Sequence, residues 1–252
     1  MSRLKIGCRN GHNVNAVGAI GIVSEVVEDT KIFQASKTYL EKYNTIVDCS
    51  NEIADVDTEL MYGINKANAN NVDLFYSVHL NKAYDNYNGS IGAEIWVHPC
   101  ASQDTKYKAN AILKNLNKLG FINRGIKYSD GLAELNSTNM EAMIIECFFC
   151  EATGDVELYK KHGADKIGLA IANGIDSRVK NNKEVYDMKT IVLYFGDMDA
   201  NAAIYVAQKN QCPMMKKSDF DISGLKAEKI IQIGGRPGST RYDSLKDAGK
   251  LV

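Results

Sequence analysis

The chain has 252 residues, of which 45% are hydrophobic and 24% charged, and its formal net charge is -1. This length predicts two domains whose cores need neither disulfides nor structural metals. The near-neutral charge argues against a nucleic-acid partner, and no apolar run approaches the roughly 20 residues that cross a bilayer, so we expect no membrane insertion.

The N-terminal residues predict no secretory signal peptide. Arg3 and Lys5 are followed by Gly7, Arg9 and Asn10, which interrupt any apolar segment of the kind that a signal peptide requires. We therefore expect the protein to be made in soluble form in the cytoplasm.

The cysteines predict reduced core residues rather than a disulfide framework. Most of the six lie within or beside apolar strands. The six are Cys8, Cys49, Cys100, Cys147, Cys150 and Cys212. Cys147 and Cys150 have the C-x-x-C spacing, but a redox motif places its first cysteine at a helix N-terminus, whereas this pair lies in or at the end of an apolar strand. The sequence thus favours a structural role for both.

The first strand leads into a loop that is suited to carry function. Leu4–Cys8 is predicted as a strand, and the glycine- and asparagine-rich stretch 10–21 follows it as a loop. From Ser24 onward the apolar spacing predicts a helix, with Glu25 and Glu28 at its positive N-terminal end. Glu25 is therefore expected to begin a helix that faces the loop.

A β-α-β-α-β pattern continues from there to a histidine. Residues 45–49 are predicted as a strand, 57–70 as a helix and 72–80 as a strand that carries His79 near its end. Ligands bind beyond the carboxyl ends of strands in open α/β sheets, so His79 is a candidate site residue. The alternative is a hydrogen-bonded structural histidine. Asn81 is either a residue that orients substrate or a turn residue.

A carboxylate lies inside the most apolar predicted strand. A strand over 92–98, a helix over 104–119 and a helix over 153–175 flank the nearly continuous apolar run 143–149. Glu146 lies inside that run, where an unpaired carboxylate costs several kcal/mol. Glu146 is therefore predicted to be paired, protonated or directed into a polar cavity, as functional carboxylates are, unless it simply bonds backbone amides at a strand end.

A second unit follows a polar linker. We predict a first domain over 1–178, a linker over 179–187 and a small α/β domain over 188–252, with elements at 190–194, 200–209 and 229–233. A single core of this size is marginal, and self-association is a common remedy. Met188 also leaves open an internal translation start or an adjoining cleavage site, and a single full-length band on a denaturing gel would count against both.

The histidines suggest a metal site. His12 in the first loop and His79 both follow strands, and with Glu25 they make two imidazoles and one carboxylate, the ligand count of a catalytic zinc that keeps one position open. Glu146 then remains as the base. No local motif links these residues, so spacing alone leaves the site a suggestion.

Four segments carry a family resemblance over residues 4–175. Gly11-His12-Asn13, Ser24-Glu25, the run 77–81 (Ser-Val-His-Leu-Asn) and the run 145–149 (Ile-Glu-Cys-Phe-Phe) resemble the landmarks of zinc-dependent N-acetylmuramoyl-L-alanine amidases, especially the amidase domains of clostridial phage endolysins. The resemblance implies an α/β fold with a mixed, mostly parallel sheet flanked by helices.

The resemblance also implies a chemistry. His12, Glu25 and His79 would bind Zn²⁺, and Glu146 would polarise the metal-bound water as general base and then act as general acid. The reaction implied is hydrolysis of the amide between the lactyl group of N-acetylmuramic acid and L-alanine in peptidoglycan. Glu28 lies one turn beyond Glu25 and is the alternative ligand, although a solvated first-turn carboxylate is the simpler interpretation.

The second domain has a resemblance of its own. Gly234-Gly235 followed by the run 241–244 (Arg-Tyr-Asp-Ser) is similar to a segment of the clostridial cell-wall-binding repeat. This implies that the domain binds a cell-wall polymer, and a solitary copy would need a homo-oligomer to complete an equivalent assembly.

Two other functions remain open from the sequence. The same ligand set serves zinc peptidases that cut inside the stem peptide, and a catalytically inactive wall-binding protein would need no metal. An endolysin without a signal peptide would be made in the host cytoplasm and would reach the wall only after the membrane is permeabilised, for example by a phage holin.

Overall fold

A computed structural model describes residues 3–180, 188–235 and 240–251. The chain folds as two compact units, residues 1–180 and 181–252. Most of the predicted linker, residues 181–187, lies outside the described residues, while Val179 at its start is 1% exposed and packs in the core of the first unit. No helix within the described ranges is both long enough and apolar enough to cross a membrane.

The first unit is built on a six-stranded sheet in the order β2-β1-β3-β6-β4-β5. Neighbouring strands are parallel except for β4 and β6, which are antiparallel. This confirms the predicted mixed, mostly parallel sheet. The strands are β1 (Lys5–Asn10), β2 (Thr45–Asp48), β3 (Leu74–Asn81), β4 (Ala93–Val97), β5 (Asn123–Tyr128) and β6 (Glu141–Phe149).

Five helices flank this sheet. They are α1 (Glu25–Glu41), α2 (Val56–Ala69), α3 (Gln103–Lys118), α4 (Ala133–Asn136) and α5 (Thr153–Ile175). The main core joins α1, α3 and α5 to inward side chains of the central strands such as Tyr76, Val78 and Ile145. A smaller core joins α2 and α4 to residues that include Phe75 and Ile144. The face with α2 and α4 also carries the cavity described below.

The sheet register determines which polar side chains meet. β1 and β3 are parallel neighbours, so the loop after Asn10 and the end of β3 lie at the same sheet edge. β3 and β6 are also parallel, and His79 lies opposite Glu146. Since side chains alternate between the faces of a strand, cross-strand partners share a face.

The predicted strands and helices of the first unit are present, with bounds shifted by one or two residues. The helix over 153–175 is interrupted at Gly163, whose φ of 74° is not helical. Sequence analysis did not predict β5 or α4. The residues of β5 are partly exposed and show no apolar alternation, and α4 has only four residues, too few to display a helical period.

The second unit is a small α/β fold with a three-stranded parallel sheet in the order β8-β7-β9. Its elements are β7 (Met188–Tyr194), α6 (Asp197–Lys209), β8 (Met214–Lys216), α7 (Lys217–Ser223), β9 (Ala227–Ile233) and α8 (Arg241–Gly249). The core joins alanines of α6 to Val192, Ile231 and Ile233. Sequence analysis predicted β7, α6 and β9, and missed the shorter β8, α7 and α8.

Four of the cysteines agree with the predicted core role, since Cys8, Cys49, Cys147 and Cys150 are buried, whereas Cys100 is exposed and Cys212 is partly exposed. All six are free thiols, and Cys147 and Cys150 are both fully buried in the main core. Burial raises the pKa of the Cys150 thiol to about 11, so it stays protonated and unreactive near neutral pH.

Candidate metal centre

Three predicted ligands converge at one edge of the sheet. His12 lies in the loop after β1, Glu25 is the first residue of α1, and His79 lies near the end of β3. One potential ligand atom from each lies within 4.8 Å of the others. The adjacent parallel strands β1 and β3 place the two histidines, and α1 begins against the same edge.

Glu25 is the centre of this cluster, which we call the His12–Glu25–His79 cluster. Its Oε1 lies 3.4 Å from His12 Nε2 and 3.3 Å from His79 Nδ1. Two backbone amides also donate to the carboxylate, Leu80 N to Oε1 at 3.0 Å and Ala19 N to Oε2 at 2.7 Å. Glu25 is 3% exposed, and these four contacts hold its carboxylate in place.

Contacts within the cluster shift the pKa values of Glu25 and His79. Burial opposes ionisation of Glu25, but hydrogen bonds from His12 and His79 hold the pKa of this carboxyl well below its usual range. Burial likewise disfavours a charged His79, but the hydrogen bond to Glu25 and the charges of Glu146 and Glu134 raise the pKa of His79 to about 9. The carboxylate is thus ionised near neutral pH, and His79 carries the proton that a cation would have to displace.

Glycines make room for these side chains. A Cβ at Gly11 would lie 2.3 Å from the His79 ring, and a Cβ at Gly18 would lie 2.4 Å from His12 Cδ2 and 2.6 Å from Glu25 Oε2. Gly18 also has a φ of 65°, which L side chains rarely adopt. Glycine is therefore needed at positions 11 and 18, because any larger residue would clash with the side chains of the cluster.

Glu28 does not join the cluster. Its carboxylate pairs with Lys31 and accepts a hydrogen bond from the Tyr159 hydroxyl. Its side chain is only 14% exposed, so the expectation of a solvated first-turn carboxylate was wrong. The physical reason is that α1 packs against α5, which brings Tyr159 over this turn of the helix.

Glu146 faces the cluster from the neighbouring strand. It lies opposite His79 in the β3–β6 register, and its Oε2 is buried without a hydrogen-bond partner. Burial, together with the charges of Glu25 and Glu94, raises the pKa of Glu146 to about 7 against the opposing effect of His79. A carboxyl with this pKa exchanges a proton readily near neutral pH.

A cavity of about 470 Å³ opens beside these residues. His12, His79 and Glu146 line its polar side. Its apolar lining includes Leu60, Val56, Trp96, Leu132 and Ile144. A pocket with a mainly apolar lining and a few convergent polar groups is the usual form of a binding site.

Asn81 also lines this cavity, and its side chain is anchored. Its Nδ2 donates to Glu94 Oε1 at 3.0 Å, and its Oδ1 accepts from Lys82 N at 2.8 Å. Glu94 in turn accepts from Arg124 Nε at 2.8 Å. The predicted turn role fits the Lys82 contact, and the position in the cavity wall is compatible with a role in orienting substrate.

Sequence analysis missed a charged group beneath the cavity. Arg9 is 1% exposed and pairs with Glu59 and Glu134, both of which are also buried. Asp29 is fully buried and accepts a hydrogen bond from His12 N at 3.2 Å. Arg9 directly precedes the Asn10–His12 segment, and an arginine next to the apolar residues Ile6 and Cys8 was a signal for Arg9 itself, though not for its partners.

The cluster fits a divalent zinc ion. Two imidazoles and one carboxylate are the donor set of catalytic zinc sites with an open coordination position. The buried anionic Glu25 supplies negative charge, and Glu146, whose buried Oε2 has no hydrogen-bond partner, lines the adjoining cavity. The side chains that would hold the ion are His12, Glu25 and His79.

Comparisons with known proteins agree on one family. The sequence model of the N-acetylmuramoyl-L-alanine amidases matches residues 6–177. An uncharacterized protein of Clostridium perfringens is 41% identical over 177 residues, which cover 69% of this chain and 52% of that protein. An endolysin of Bacillus phage SPP1 is 31% identical over 164 residues, covering 62% of this chain and 55% of that protein. The chain thus spans about half the length of the curated relatives it matches.

Solved structures show the same fold. The catalytic domain of the CD27L endolysin, which targets Clostridia difficile, is 27% identical with a TM-score of 0.62 and covers 71% of this chain and all (100%) of that domain. The amidase AmiC2 of Nostoc punctiforme is 23% identical with a TM-score of 0.61 and covers 69% of this chain and 96% of that chain, a likeness of fold. Each match covers nearly the whole solved chain but only part of this chain, as expected when a single domain is shared.

Proposed function

Since the chain belongs to the N-acetylmuramoyl-L-alanine amidase family through residues 6–177, we propose that it is a zinc-dependent peptidoglycan hydrolase. Its reaction is hydrolysis of the amide that joins the lactyl group of N-acetylmuramic acid to L-alanine. The observation that carries the proposal is the convergence of His12, Glu25 and His79 beside Glu146, whose Oε2 is buried and unpartnered.

The residues divide the chemistry between them. When bound, zinc would supply Lewis acidity, lowering the pKa of a coordinated water towards 7 and polarising the scissile carbonyl. Glu146, with its pKa raised to about 7, accepts the proton of the attacking water and returns it to the departing amine. The apolar lining of the cavity, which includes Trp96 and Leu132, packs against substrate and excludes bulk water.

Metal removal tests the proposal in its simplest form. We expect a chelator to abolish release of soluble material from purified walls, and we expect stoichiometric Zn²⁺ to restore it. Elemental analysis of the restored protein should find about one zinc per chain. Full activity in a protein shown to be metal-free would exclude this mechanism, and a protein that binds walls but never binds metal would support the inactive wall-binding alternative.

The pH dependence of zinc binding follows from the protonation of His79. Its pKa is raised to about 9, so the ring is charged at pH 7, whereas a metal needs the neutral imidazole. Zinc affinity should therefore rise about tenfold per pH unit from about pH 6.5 towards 9 and then level off, because one proton is displaced per ion. Calorimetry in buffers of different ionisation enthalpy measures the released proton, and binding without proton release would contradict the assignment.

A zinc peptidase acting within the stem peptide is the rival enzyme. It would use the same ligands, so metal dependence does not separate the two. The products do, because the amidase creates new L-alanine amino termini on whole stems, whereas the peptidase creates termini within the stem or cross-bridge.

For the second unit we propose binding to a cell-wall polymer and self-association into a homo-oligomer. Large apolar side chains on its surface support this, with exposures of 85% for Ile222, 74% for Tyr242 and 69% for Tyr205. Large apolar side chains left exposed are available for contacts with a wall polymer or a second copy of the chain. Light scattering of the full chain should give a mass of at least twice 27.8 kDa, and a strictly monomeric mass would exclude self-association.

The proposed substrate lies outside the membrane of the cell that makes the protein. We propose synthesis in the host cytoplasm and action on the wall after the membrane is permeabilised, as for the phage endolysins that this sequence resembles. Protein expressed inside intact host cells should therefore cause no lysis until a permeabilising agent is added, and lysis without one would contradict this proposal.

A further inference from the structure

The two ring nitrogens of His79 face two different carboxylates. Nδ1 lies 3.3 Å from Glu25 Oε1, on the side where His12 Nε2 also approaches that oxygen at 3.4 Å. Nε2 lies 4.0 Å from Glu134 Oε2 on the other side of the ring. Since the three candidate ligands converge on the Nδ1 side, Nδ1 is the nitrogen available to a metal and Nε2 is the nitrogen that keeps its hydrogen.

Glu134 is held rigidly in this position. It is 3% exposed on α4, its Oε1 accepts from Arg9 Nη1 at 2.6 Å, and its Oε2 accepts from Ser77 Oγ at 2.5 Å. Arg9 also pairs with Glu59 and donates to Gly11 O at 3.0 Å. This network therefore connects the backbone next to His12 with the strand that carries His79.

The charges of this network are not balanced among themselves. Arg9 contributes one positive charge, while Glu59 and Glu134 contribute two negative charges when ionised, and all three side chains are almost fully buried. A buried ion group is weak evidence for stability, because apolar residues of similar volume often stabilise as well or better. Of the two carboxylates, Glu134 is the one that lies 4.0 Å from His79 Nε2, where its negative charge complements a bound cation and the N–H of its ligand.

From this geometry we propose that Glu134 is a positioning residue for His79. Its carboxylate faces Nε2 at ion-pair distance, favours the tautomer that keeps the hydrogen on Nε2 and presents Nδ1 to the metal, and increases the basicity of the ring, with Arg9 and Ser77 holding the carboxylate in place. A carboxylate behind a metal-binding histidine has these effects in general, and its loss weakens metal affinity by about 10–100-fold. The inference rests on the proposed zinc site.

Zinc affinity of two matched variants tests it. Glu134→Gln removes the charge that faces His79, and Glu59→Gln removes the other carboxylate partner of Arg9 but has no contact with His79 among the described contacts. Competition with a chromophoric chelator at constant pH should show zinc affinity reduced about 10–100-fold in Glu134→Gln and changed less than about threefold in Glu59→Gln. Equal losses in the two variants would mean that Arg9 pairing is merely structural, and would overturn the inference.

A measurement on the unmodified protein covers the case in which Glu134→Gln does not fold. Nitrogen-15 NMR of the zinc-loaded full chain distinguishes a metal-bound imidazole nitrogen from a protonated one. We expect His79 to show a metal-bound Nδ1 and a protonated Nε2, and the reverse tautomer would overturn the inference without any variant. If the unmodified protein binds no zinc, the proposed function fails; if it binds zinc and Glu134→Gln binds it equally, only the role of Glu134 fails.

Discussion

Glu146→Gln should bind zinc as the unmodified protein does and yet lose hydrolysis of purified walls by about 100- to 10,000-fold, the usual contribution of a general acid–base group. The amide keeps the size of the side chain but cannot accept a proton from water. Glu146 is suited to this role because its pKa is raised to about 7 and its Oε2 has no hydrogen-bond partner. The measurements are initial rates of wall solubilisation and zinc content of the same preparations.

The matched control for this variant is Glu157→Gln, which neutralises an exposed carboxylate on α5. It should retain the full rate, since it lies outside the cavity lining. A normal rate in Glu146→Gln would show that another group transfers the proton. Loss of zinc from Glu146→Gln would show that Glu146 is needed for zinc binding rather than for proton transfer.

Replacement of His79 by alanine should reduce both zinc affinity and hydrolysis by more than about 100-fold. This exceeds the effect expected from losing a residue such as Glu134, which only positions a ligand. The variant leaves one imidazole and one carboxylate, too few for the three-ligand catalytic site. Zinc affinity of the purified variant, measured against a competing chelator, gives the first effect, and wall hydrolysis at saturating zinc gives the second.

His98→Ala is the control for a general effect of removing a histidine. His98 lies beyond β4, where its Nδ1 accepts from Cys100 N at 3.1 Å, and it is not part of the His12–Glu25–His79 cluster. We expect this variant to bind zinc normally. Equal zinc affinity in His79→Ala and the unmodified protein would remove His79 from the ligand set.

The sequence was sufficient for the parts of the site that lie on long, regular elements. The apolar runs that became β3 and β6 predicted strands, and polar residues within them, His79 and Glu146, stood out because the pattern around them was otherwise apolar. Parallel pairing of these strands then brought the two residues opposite each other. The prediction that Glu25 begins a helix was likewise confirmed.

The outer part of the site could not be predicted in the same way. Glu134 lies on a four-residue helix after an irregular edge strand, and its partner Arg9 is 125 residues away in the chain. A single sequence contains no signal for such a long-range pair, because neither residue belongs to a periodic pattern. The prediction that Glu28 is solvated was wrong for a similar reason, because its burial against Tyr159 depends on how α5 packs on α1.

The identity of the bond that is cut tests the account most directly. Purified peptidoglycan should be digested with the zinc-loaded full chain, the new amino termini labelled, and the labelled residues identified after acid hydrolysis. We predict that L-alanine termini increase in step with wall solubilisation and that reducing sugar ends do not increase. New termini at other residues of the stem or cross-bridge, with no gain of L-alanine termini, would contradict the assignment as an amidase.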